Sequence, residues 1–258
     1  MDRGEIWRIA MEQSALELGC AAEDFLREEN VVVPLGLGPG SRSYYEQPIG
    51  CTLVSYGNNI VAGTEEGCRR AVEEYLSRYE FYHCFETPNL HWLDGRLRAV
   101  GQRVCFMAEY YLPDLEKLRP LGCGYELRLL ERPAFAGLYR PEWGNALCEK
   151  RAALDVLCLG AYDGGRLVGL AGCSADCEGM WKIGVDVLPS YRRRGIAAAL
   201  TSGLAAETLR RGRVPFYCSA WSNLRSVRNA LKCGFVPAWV EMSAKPEGFV
   251  EEMNACPR

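Results

Sequence analysis

The stretch from Val185 to Leu200, VDVLPSYRRRGIAAAL, constrains this chain more than any other. An alternating apolar run stops at Pro189, three arginines and a glycine follow, and a run of small residues then opens a helical pattern. A strand, a glycine turn and a helix in direct succession define a β-α unit with the turn at the helix N-terminus. There the first backbone N–H groups have no intrahelical acceptor and the helix dipole adds partial positive charge, so an anion is the natural occupant. Gly195 removes a side chain where a phosphate would approach the backbone, and Ala197, Ala198 and Ala199 keep the first turn thin. The arginines add charge, which favours a diphosphate. A merely solvated arginine cluster would have to tolerate cations at the positive end of a dipole.

The same alternation runs through the C-terminal half. Strands are expected at 125–131, 156–176 (a hairpin turning at Asp163-Gly164-Gly165), 180–188, 215–221 and 235–245. Helices are expected at 143–155, at 193–211 with Gly212 as its stop, and at 223–234. The order β-α-β-β-β-α-β-α-β implies an α/β fold with a mixed central sheet flanked by helices. The N-terminal half is a smaller α/β domain: a helix at 5–29, a Gly/Pro-rich loop at 31–43, a hairpin at 49–64, a helix at 65–79 and a strand at 104–112. Pro120, Gly122 and Gly124 cluster near the boundary, giving expected domains at 1–118 and 125–258.

Composition narrows the function classes. At 258 residues, 48% hydrophobic and 24% charged, the chain can bury a core. A net charge of -3 offers no global attraction for nucleic acid, so no nucleic-acid partner is expected. The first twenty residues are too charged for a signal peptide and no stretch has spanning length, so a cytoplasmic protein with no membrane partner is expected. The thirteen cysteines form no CxxC pair, His83 and His91 lie far from Cys173 and Cys177, and reduced thiols without a metal are expected. The loop GLGPGS at 36–41 lacks the ending of a P-loop and reads as a turn.

Arg192, Gly195 and Ala197 after Val185, Val187 and Pro189, with Asn223, Gly234 and Phe235 downstream, resemble the two hallmark motifs of the GNAT N-acetyltransferase superfamily. The resemblance covers roughly residues 125–245 and implies acetyl-CoA as cosubstrate, with no metal. On that reading the amides of Arg193, Arg194, Gly195, Ile196, Ala197 and Ala198 hold the pyrophosphate, and Arg192 also binds the cofactor. The strand splays from its neighbour, Val185 and Val187 line the cofactor arm, and Asn223 and Ser226 form the opposite wall. A backbone N–H near Val187 would face the developing oxyanion.

The implied reaction is direct attack by an amine on the thioester, which needs a base and an acid. The family's tyrosine, four residues before the Gly-Phe glycine, is Ala230 in this chain. Ser226, one helical turn earlier, and Tyr217 on the preceding strand are the candidate acids; Glu178 and Asp186 are the candidate bases. Trp181 and Trp221 would shape the acceptor pocket, and a small-molecule amine is the expected acceptor. The alternative from another class is a CoA-binding module without turnover. The N-terminal half reads as a degenerate copy whose turn carries Glu65 and Glu66 where a phosphate would bind, leaving it as a wall or as the surface of a homodimer.

Overall fold

The computed structural model describes residues 1–42 and 48–255; Ser43, the last residue of the expected 31–43 loop, and Cys256 lie outside them. The strands are β1 Val31–Pro34, β2 Cys51–Ser55, β3 Val61–Thr64, β4 Gln102–Pro113, β5 Glu126–Glu131, β6 Asp155–Asp163, β7 Arg166–Ser174, β8 Met180–Val187, β9 Val214–Ser219 and β10 Phe235–Pro246. The helices are α1 Arg3–Leu18, α2 Glu66–Arg78, α3 Thr87–Arg98, α4 Ile196–Arg210, α5 Leu224–Lys232 and α6 Glu247–Ala255. Among the described residues no helix is long and apolar enough to cross a membrane.

The chain divides into two compact units, Met1–Ile9 with Tyr110–Pro237, and Ala10–Glu109 with Ala238–Arg258. A single cut near residue 120 does not reproduce this division, because each unit takes in a segment from the opposite end of the chain.

In the first unit the strand order is β9-β8-β7-β6-β5. The pairs β5–β6, β6–β7 and β7–β8 are antiparallel and β8–β9 is parallel, so the sheet is mixed. The β6–β7 hairpin turns on Gly164 and Gly165 at φ 54° and 87°, the left-handed pair that a two-residue turn demands. Period-two alternation sorts the side chains onto two faces. Leu157, Leu159, Ala171 and Ile183 pack with Leu200 and Leu204 of α4, Tyr217 and Phe235. Cys158 and Leu170 face the other way, onto Phe135, Trp143, Ala146 and Leu147.

Residues 143–155 do not form the expected helix; 3-10 turns at Pro141–Trp143 and Glu149–Leu154 flank a short connection, and Arg151 is non-helical at φ -127°. The reason lies in the sheet beneath. A Cβ added to Gly184 would stand 1.8 Å from Asn145 O, and one on Gly172 2.0 Å from Ala146 O. Main chain therefore lies directly on the two facing glycines, closer than helix packing, with interaxial distances of about 8–10 Å, permits.

In the second unit the order is β1-β3-β2-β10. β1 runs parallel to β3, where the sequence had read a loop: Val31, Val32, Val33 and Pro34 register against Val61, Ala62, Gly63 and Thr64. Pro34 is tolerated because β1 is an edge strand. The expected 5–29 helix ends instead at Leu18, before Gly19 at φ 80°, and is followed by a 3-10 turn at Ala22–Leu26. Leu53, Ile60, Val72, Tyr75, Leu93 and Met242 share one core. The glycines of the 36–41 loop serve packing against α1, since a Cβ on Gly38 would meet Leu16 Cδ1 at 2.3 Å. Past that loop, buried Arg42 donates from Nε to Glu17 (2.6 Å) and from Nη2 to Glu241 (3.1 Å).

Candidate functional site

β8 and β9 are hydrogen-bonded neighbours only over Met180–Lys182 against Val214–Phe216. Both strands run on, to Val187 and Ser219, so beyond Lys182 they part. The opening faces the C-terminal ends of a parallel pair, the side from which helix N-termini and loops reach a ligand. Val185 and Val187 are partly buried on the α4 face of that opening. After Leu188, a 3-10 turn at Pro189–Tyr191 carries the chain to the N-terminus of α4.

The turn itself is built for close approach to its backbone. Gly195 caps α4 at φ 80°, and Arg193, at φ 63°, is the positive-φ residue among the described non-glycines. Left-handed backbone costs a non-glycine residue about 1–2 kcal/mol and persists where the surroundings over-determine it. The first ladder bond runs from Ala199 N to Gly195 O (3.0 Å), so the preceding amides of the turn are the donors at the helix end.

The arginines divide their roles. Arg192 Nε donates to Val187 O (3.1 Å), folding the turn back onto the end of β8. Arg194 Nη1 donates to Tyr125 OH (2.8 Å) and its guanidinium lies 5.2 Å from the centre of the Tyr191 ring. Tyr191 OH donates to Asp163 (2.9 Å), and Tyr125 and Tyr191 meet edge to face. Arg193 is exposed. Tyr125, Tyr191 and Asp163 were not expected as site residues from the sequence; Asp163 marked only the hairpin turn, and Tyr191 lies next to the arginines.

Across the opening, Asn223 is the N-cap of α5, its side chain accepting from Ser226 N (3.3 Å). Ser226 Oγ and Tyr217 OH share a hydrogen bond of 2.9 Å, which brings the two candidate acids together. Burial pushes the Tyr217 phenol above its ordinary value, with hydrogen bonds to Ser226 and Asn229 acting in the other direction. Tyr217 therefore stays protonated, the form an acid needs, through neutral pH. Asn229, three residues beyond Ser226 on α5, donates to Thr201 Oγ1 of α4 (3.0 Å) and so extends the network. Ala230, at the family's tyrosine position, is fully buried.

The two candidate bases sit elsewhere. The Asp186 carboxylate accepts from Asn145 N (2.8 Å), Ala146 N (2.9 Å) and Asn145 Nδ2 (2.6 Å) and so holds the 145–146 segment on the sheet. Glu178 is exposed in the turn before β8, at the end where β8 and β9 are still paired. Trp181 packs against the α4-side core, and Trp221 is 47% exposed just before α5. Cys173 and Cys177 have separate partners, Thr208 Oγ1 and Met180 O. Among the described residues no group of three or more His, Cys, Asp or Glu is placed to hold a metal ion.

Residues 124–235 match the model of the acetyltransferase (GNAT) family. No curated protein matches the chain. Among solved structures, the chain is similar to a GCN5-related N-acetyltransferase from Kribbella flavida at 15% identity and a TM-score of 0.51, over 97% of this chain and 99% of that one. It also resembles a GCN5-related N-acetyltransferase-like protein from Streptococcus suis (21% identity, TM-score 0.46, 61% of this chain and 68% of that one). A GNAT-family acetyltransferase from Colwellia psychrerythraea matches at 18% identity and a TM-score of 0.40, over 56% of this chain and 57% of that one. Residues 124–235 are thus a domain of the GNAT acetyltransferase family, on that family's mixed sheet flanked by helices.

Proposed function

We propose that this protein transfers the acetyl group of acetyl-CoA to a primary amine of a small molecule, by direct attack of the neutral amine. The observation that carries the reading is the parting of β8 from β9 beyond Lys182, which opens onto the Gly195 turn at the head of α4. Backbone amides from Arg193 to Ala198 would take the pyrophosphate, and the β8 edge that β9 leaves, at Val185 and at the N–H of Val187, would pair with the pantetheine amides, Val187 O being held by Arg192. Acetyl-CoA supplies an activated acyl group as a thioester.

The chain's own residues would manage the protons. Tyr217, supported by Ser226, stands as the acid for the departing thiolate, taking the place of the tyrosine that Ala230 replaces. The Asp186 carboxylate is taken up by Asn145 and Ala146 and Glu178 stands outside the opening, so the amine proton leaves through water. The second unit is proposed to hold no CoA, because α2 opens with Glu65 and Glu66 where a phosphate would sit.

Calorimetric titration with acetyl-CoA, free CoA and ADP tests the site. Saturable binding of the CoA species, followed by amine-stimulated thiol release across a panel of small amines, is expected. Absence of CoA binding would overturn the reading. Tight binding without stimulated thiol release would leave a CoA-binding module in its place.

A further inference from the structure

A second concavity lies in the first unit, on the sheet face opposite Val185 and Val187. It has a volume of about 360 Å³ and is walled by Trp143, Leu167 and Leu188, with Arg140, Glu142 and Arg166 also lining it. That volume is at the small end of the roughly 300–1,000 Å³ typical of ligand pockets. Its apolar wall is part of the packed core. Trp143 is 4% exposed within the core of that face, against which Leu167 and Leu188 pack. Leu188 N is held by Val168 O (3.0 Å), and Trp143 N by Arg140 O (3.0 Å).

The charged groups lie on two elements. Arg140 caps the 3-10 turn that contains Glu142 and ends at Trp143, and Arg166 begins β7. All three side chains are exposed, and among the described residues none of them makes an ion pair with the protein. Two guanidiniums and one carboxylate over an aromatic and aliphatic wall are complementary to a carboxylate and an ammonium on a small apolar body.

We infer that this pocket binds an apolar α-amino acid as its zwitterion: the carboxylate on Arg140 and Arg166, the ammonium on Glu142, and the side chain on Trp143, Leu167 and Leu188. An amine held by Glu142 in this pocket is charged and lies on the face away from Tyr217 and Ser226. The ligand of this pocket is therefore distinct from the acetyl acceptor proposed above. The distinction from the acceptor rests on the acetyl-CoA reading; the binding assignment itself does not.

The test is calorimetric titration of the full chain with L-phenylalanine, with 3-phenylpropionate and phenethylamine as probes lacking the ammonium and the carboxylate. L-phenylalanine is expected to bind with a dissociation constant of about 1 mM or tighter, the range open to a ligand of this size. Both probes are expected to bind at least fivefold more weakly. Arg166→Gln is expected to weaken L-phenylalanine at least tenfold, and Glu142→Gln to abolish the preference for L-phenylalanine over 3-phenylpropionate. Both positions are exposed, and an unchanged circular dichroism spectrum reports that each variant is folded. No saturable binding, binding indifferent to Arg166→Gln, or equal affinity for L-phenylalanine and 3-phenylpropionate would overturn the assignment. Loss of acetyl-CoA binding alone would leave it standing.

Discussion

Gly195 combines two requirements that a sequence motif cannot separate: a left-handed backbone and an unobstructed approach to the turn. A Cβ added there would come no nearer than 4.0 Å to protein, at Gly122 O, so the fold leaves room for a side chain on that side. Asparagine tolerates left-handed backbone better than other residues. Gly195→Asn is therefore expected to fold and still raise the acetyl-CoA dissociation constant at least tenfold, about 1.4 kcal/mol; calorimetry checks it, and parental affinity would remove the turn from the site. Tyr217 and Ser226 were each legible as hydroxyls on neighbouring elements, but their 2.9 Å contact was not. Tyr217→Phe is expected to lower kcat by about a hundredfold, the scale of general acid catalysis, with acetyl-CoA affinity unchanged. Ser226→Ala is expected to lower it less, since the phenol remains. Single-turnover thiol release on both variants distinguishes a shared role from an idle serine. The placement of Asp186 was half legible: alternation puts it on the face opposite Val185 and Val187, but nothing local announces the amides of Asn145 and Ala146 that it holds.

Helix α4 is anchored at its far end by charge. Glu207 takes two hydrogen bonds from Arg210 and one from Arg211, and Arg211 also reaches Glu131 of β5. The Arg210 guanidinium first, and then Arg211, hold the Glu207 carboxyl down from 4.5 to about 2. A depressed carboxyl contributes stability that is complete above its unfolded value and is lost as pH falls toward the folded one. The contribution should therefore fade between about pH 4.5 and 2. Glu207→Gln is expected to lower the melting temperature at neutral pH and to flatten that acid limb; a parallel limb in a melting series against pH would show that the cluster carries no stability. Most other elements were legible because they are periodic: α4, the β6–β7 hairpin and β8 lie within two or three residues of their expected bounds. The 143–155 segment failed as a helix because its apolar spacing is satisfied against the sheet by Trp143, Ala146 and Leu147 without a helical backbone. β1 failed as a strand because Pro34 and the glycines after it are loop signals, while its partner, β3, is contiguous only in space.

At the scale of the molecule, the two units draw on interleaved sequence. β10 passes from the first unit into the second, where Val240, Glu241, Met242, Ser243 and Ala244 pair with Ser55, Val54, Leu53, Thr52 and Cys51 of β2. Met242 and Ala244 are fully buried in the second unit's core, and Glu241 lies on Arg42. Removing residues 238–258 is therefore expected to unfold the second unit, since it strips a paired strand, two core side chains and one carboxylate of a buried ion cluster. Limited proteolysis reads this as cleavage within residues 10–109; a protected 10–109 segment would mean that β10 is dispensable. The sequence by itself determined the strands β5 to β10, the helices α4 and α5 between them, the mixed sheet and the glycine turn at the head of α4, though not the form of the 143–155 segment, because periodicity, turn chemistry and a helix end are local properties. Tertiary structure alone decided where β8 leaves β9, which hydroxyls meet, what Asp186 holds and which segments complete each core. Those depend on strand pairing and packing between residues from 9 to 199 positions apart, on different elements, and no local pattern encodes them.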